Sequence, residues 1–132
     1  MNIYINLPVQ DLQKSRQFYQ KLGFSINEQF SDETAACVVF SEHIYVMILT
    51  HEKFQMFTPK TIANAHKETE VMNALSFDNK SEVDDLMNKA LGNGATETRQ
   101  TQDHGFMYSR AFNDLDGHIW ELFWMDMSQF PK

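Results

Sequence analysis

The sequence predicts an α+β protein: one domain of 132 residues made of two βαβββ modules. Three observations carry this. Apolar residues alternate with period two, then recur at helical spacing, then alternate again, and the whole order is met twice. The segments HIYVMIL (43–49) and HIWELFW (118–124) close the two runs at the same place, the mark of an internal duplication. A polar stretch, HEKFQMFTPKTIANAHKETE, separates them. The expected organisation is a first module at 1–50, a connecting segment at 51–70, a second module at 71–126 and a tail at 127–132.

In the first module Ile3, Ile5 and Leu7 alternate with Asn2, Tyr4 and Asn6, a strand that Pro8 is expected to end. Asp11 is placed to cap a helix over about 12–22 whose apolar stripe is Leu12, Phe18, Tyr19 and Leu22, with Gly23 as its stop. A further strand is possible around Ser25–Gln29. AACVVF (35–40) and IYVMIL (44–49), joined by Ser41-Glu42-His43, read as a hairpin. In the connecting segment Pro59 breaks any long helix, while Phe54, Met56 and Phe57 are too apolar for a free linker; a lid and an edge patch both remain open.

The second module repeats the order. VMNALSF (71–77) is a strand, and Ser81 with Asp84 predicts a capping box. The helix that follows turns Val83, Leu86, Met87, Ala90 and Leu91 inward and stops at the glycines of GNG (92–94). Strands are expected at Phe106–Phe112 and, past the turn DLDG, at His118–Trp124.

Composition excludes several classes. Acidic residues outnumber basic ones 18 to 11, a net charge of −7, and no basic patch offsets it, so nucleic acid is not an expected partner. One cysteine, Cys37, rules out an internal disulfide and a multi-cysteine metal cluster, and its apolar surroundings predict a buried thiol. No apolar run approaches the roughly 18 residues of a membrane span, and MNIYINLPVQDL is too short and polar for a signal peptide. A cytoplasmic setting is expected. No glycine pattern suits a phosphate loop, and no nucleophile elbow is present.

The stretches LPVQDLQKSRQFYQKLGF (7–24) and FNDLDGHIWELFW (112–124) resemble the vicinal oxygen chelate superfamily, which includes glyoxalase I, fosfomycin-resistance proteins, extradiol dioxygenases and bleomycin-resistance proteins. The likeness spans nearly the whole chain. It implies two modules whose curved mixed sheets surround a cup, a homodimer, and, in metal-using members, an ion at the cup floor. The positions that resemblance assigns to metal ligands are here Tyr4, Met72, Val46 or Ile48, and Glu121. Only Glu121 is a donor of the usual kind, and an open divalent site takes about three protein donors. No cofactor is therefore expected, and a divalent metal is disfavoured.

Strand alternation would then line the cup with Tyr4, Asn6, Met72, Ser76 and Glu121, with Val46 and Ile48 opposite. Tyr4, Tyr108 or Arg110 would satisfy Glu121, because an unpaired buried carboxylate is driven toward its neutral form. His104 is expected on a loop rim and His118 at a turn. The expected ligand-binding set is Tyr4, Asn6, Met72, Tyr108, Arg110 and Glu121, with no metal ligands. By resemblance to bleomycin-resistance proteins, the expected role is binding a small organic molecule. The alternatives are a glyoxalase-like lyase or isomerase using Glu121 as catalytic general base, and a structural or regulatory dimer with a filled cup.

Overall fold

The computed structural model describes residues 1–129, so residues 130–132 of the expected tail lie outside the described residues. The chain divides into two compact units, Met1–Asn64 and the remainder from Ala65 onward. Each holds one mixed sheet. No helix among the described residues is long and apolar enough to cross a membrane.

The first unit runs β1 (Ile3–Val9), α1 (Leu12–Lys21), β2 (Ser25–Asn27), β3 (Ala35–Val39), β4 (Ile44–Thr50) and α2 (His51–Gln55). Asp11 caps α1 as expected, its carboxylate accepting from the Lys14 N–H at 3.1 Å. Gly23, at φ +106°, turns the chain out of the helix. The sheet order is β1-β4-β3-β2, with β1 parallel to β4 and the other pairs antiparallel. Pro8 does not end β1, which continues to Val9. This strand lies at the sheet edge, where a missing N–H need not break the ladder. α2 was not foreseen. Thr50 accepts from the Lys53 N–H and starts it, so the opening of the connecting segment folds with the first unit.

Register assigns the faces, because paired residues project to the same side of a sheet. Leu7 lies beside Ile48, Val46 beside Val38, and Ile48 beside Ala36. Val46, Ile48, Val38 and Ala36 are all at 0% exposure, on the face that packs against α1. The expectation that Val46 and Ile48 line a cup is thus wrong by one residue. The opposite face carries Tyr4, Asn6, Tyr45, Met47, Leu49 and Cys37. Cys37 is buried, and burial pushes its thiol above its ordinary pKa.

The second unit runs β5 (Met72–Ser76), α3 (Lys80–Gly92), β6 (Thr96–Glu97), β7 (Gln102–Asp103), β8 (Met107–Asn113) and β9 (Ile119–Met125), with a 3₁₀ turn at Met127–Gln129. Its order is β5-β9-β8-β6, with β7 also on β8 and β5 parallel to β9. The cap of α3 is Asn79, not Ser81. Asn79 accepts from the Glu82 N–H at 2.9 Å, and the Glu82 carboxylate accepts from the Asp78 N–H at 3.0 Å. This reciprocal pair starts the helix earlier than expected and leaves Asp84 free to face the sheet. Val83, Leu86, Met87 and Ala90 are buried, while Leu91 is half-buried. Gly117, at φ +89°, has the Ala65 carbonyl and the His66 nitrogen 2.7 Å from where a Cβ would stand. Only glycine allows the 114–118 turn to meet that backbone.

Candidate functional site

The second sheet has a face packed on α3 and a face turned away from it. Antiparallel register sets Tyr108 beside Trp124, Arg110 beside Leu122 and Phe112 beside Trp120. Tyr108 and Arg110 both reach α3: the tyrosine hydroxyl donates to Asp84 Oδ1 at 2.7 Å, and Arg110 Nη1 donates to the same oxygen at 3.0 Å. Arg110 Nη2 also meets Glu97 at 3.4 Å. The expected contact of Tyr108 and Arg110 with Glu121 is therefore corrected. They occupy the helix-facing side, one residue out of phase with it, and link α3 to its sheet.

Glu121 stands on the other face. Its neighbours in register are Ala111 on β8 and Ala74 on β5, so on either side only a methyl group flanks it. Met72 and Ser76 share this face along β5, and both are exposed, as is Ala74. Glu121 itself is half-buried, with 25% of its side chain open.

Its counter-charge is Arg99, a residue outside the expected set. Arg99 Nη1 lies 3.4 Å from Glu121 Oε1, and Nη2 donates to Ser109 Oγ at 2.9 Å. The loop that brings it there is tied down at its base. The Thr98 N–H donates to the Ala111 carbonyl at 2.9 Å, and the Thr98 hydroxyl donates to Asn113 Oδ1 at 3.0 Å. No periodic signal in TETRQT marks Arg99. The one available clue was general: a half-buried carboxylate needs a partner.

Tyr4 and Asn6 lie together on the first sheet's face turned from α1. Tyr4 is 52% exposed and stacks on Tyr45 with ring centroids 4.7 Å apart. The histidines do not converge. His43 meets Asn2 at 2.8 Å, His104 is exposed on its loop, and the His118 N–H donates to Asp114, whose carboxylate holds the turn. Among the described residues no group of three or more His, Cys, Asp or Glu side chains is placed to hold an ion.

The donors beside Glu121 do not fit a divalent cation. They are the thioether of Met72, the hydroxyls of Ser76 and Ser109 and the Asn113 amide, which already bonds Thr98 and Thr96, and a guanidinium stands 3.4 Å from the carboxylate. Hard ions take oxygen and imidazole donors, and a fixed positive charge opposes them.

A family model described as bleomycin resistance protein-like N-terminal matches residues 3–41. Among solved structures, the hypothetical protein SA1046 from S. aureus is 31% identical, covering 93% of this chain and 92% of its own, with a TM-score of 0.78. A glyoxalase/bleomycin resistance protein/dioxygenase family enzyme from Burkholderia phytofirmans PsJN is 18% identical over 92% of this chain and 96% of its own, with a TM-score of 0.77. The fosfomycin resistance protein FosX from Listeria monocytogenes is 21% identical over 93% and 89%, with a TM-score of 0.66. The last two likenesses are of fold. No curated protein matches the chain. With its repeated modules, its opening and closing motifs and a full-length relative above 30% identity, the chain belongs to the glyoxalase/bleomycin resistance/dioxygenase, or vicinal oxygen chelate, superfamily.

Proposed function

We propose that this protein binds a small organic molecule on the Glu121 face of its second sheet, without a resident metal. The observation that supports this most is the Arg99–Glu121 pair. A fixed guanidinium and a carboxylate stand partly exposed among alanine, serine and methionine side chains, a small polar set in an otherwise modest apolar surface. Met72 would contact the ligand body. Tyr4 and Asn6, on the face of the first sheet turned from α1, are proposed separately as ligand contacts of that unit. Binding is preferred over base catalysis because the carboxylate already has a cationic partner. The proposal includes the homodimer and the cytoplasmic setting that the sequence leads one to expect.

The test is native mass spectrometry of gently purified protein for a copurifying small molecule, followed by titration of that compound into wild type and Glu121→Gln. The expected result is one bound equivalent and a loss of affinity of about tenfold, roughly 1.4 kcal/mol, in the variant. An unchanged affinity would remove Glu121 from the site.

A further inference from the structure

Resting on that reading, we infer that the bound molecule is dipolar. It carries an acidic group for Arg99 and a protonated amine for Glu121, in the manner of an amino acid zwitterion. A chain of net charge −7 with a lone carboxylate would favour a cation. The pair changes this. Arg99 and Glu121 are 3.4 Å apart and sum to zero charge, so whatever a bare cation gains from one it largely loses to the other. A ligand with both charges, set antiparallel to the pair, gains from both.

The geometry suits such a ligand. Ser109 holds one side of the guanidinium at 2.9 Å, and the Thr98 bonds to Ala111 and Asn113 fix the loop beneath it, so the fork is oriented before anything binds. Both side chains keep more than a fifth of their surface open, 29% for Arg99 and 25% for Glu121. Exposed Ala74 beside Glu121 leaves room at the carboxylate for an ammonium group. Met72, 58% exposed on the same face, offers apolar contact to the rest of the molecule.

Three probes that share one phenyl ring separate the charges: L-phenylalanine, 3-phenylpropionate and 2-phenylethylamine. They are titrated calorimetrically into wild type, Arg99→Gln and Glu121→Gln. For wild type, phenylalanine is expected to bind at least tenfold more tightly than either single-charge probe. Arg99→Gln should make phenylethylamine the best of the three, and Glu121→Gln should make phenylpropionate the best. A structural ion pair would not produce that inversion. Equal binding of phenylethylamine and phenylalanine to wild type, with the order unmoved by Arg99→Gln, would overturn the dipolar assignment while leaving small-molecule binding in place. Failure of all three probes to bind also overturns the assignment, and the copurification search then judges the binding reading separately.

Discussion

Tyr108 and Arg110 converge on one oxygen of Asp84, and this shapes how α3 is held. The hydrogen bond to Asp84, then burial, push the Tyr108 hydroxyl above its ordinary pKa. For Arg110, burial pulls the value down, but the bonds to Asp84 and Glu97 prevail and the net direction is up. A raised folded-state value means that the Tyr108 contribution is complete below the unfolded value of about 10 and fades as pH rises through the folded one. Tyr108→Phe is therefore expected to cost about 1 kcal/mol near neutral pH, discounted for the partial exposure of Asp84, with the difference shrinking in strongly alkaline buffer. Urea denaturation of both proteins on either side of pH 10 checks the sign. Arg110 was a reasonable partner for Glu121 from sequence, since the two strands are neighbours. What sequence could not supply was the register: Ala111, not Arg110, sits opposite Glu121, and a one-residue offset turns a side chain to the other face. Arg99 was illegible for a different reason, as it lies on a loop with no periodicity to read.

Strands and helices with strong periodicity were legible, and their weaker neighbours were not. α1 with its Asp11 cap follows from apolar spacing, as do the cores of β3, β4, β8 and β9. β6 and β7, of two residues each, carry no pattern and exist because β8 offers them an edge. Aligning HIYVMIL with HIWELFW set Val46 against Glu121, yet Val46 faces α1 while Glu121 faces away from α3. The repeat is real at the level of elements and slips by one residue at the level of faces. Two substitutions test the element account. Asn79→Ala should remove about 1 kcal/mol by leaving the first turn of α3 uncapped, read by thermal unfolding. Gly117→Ala should be worse, about 2–4 kcal/mol, because a positive φ and an overlap with the Ala65–His66 backbone act together. A Gly117→Ala protein as stable as wild type would refute the close approach.

At the scale of the whole molecule, both units share one plan. The first strand of each lies parallel to the last, and the remaining pairs are antiparallel, β1-β4-β3-β2 in one and β5-β9-β8-β6 in the other. That plan, the 31% identity to the S. aureus protein and the bleomycin-resistance-like opening place the chain in its superfamily. The candidate site of this chain turns on one local feature: the acid of the D-x-D-G-H-x-x-E ending is held by an arginine. The most direct measurement is isothermal titration of metal-free protein with Zn²⁺ and Mn²⁺, beside Glu121→Gln as the reference. The expected result is no stoichiometric binding that depends on Glu121. One equivalent of either ion, bound by wild type and lost in Glu121→Gln, would contradict it.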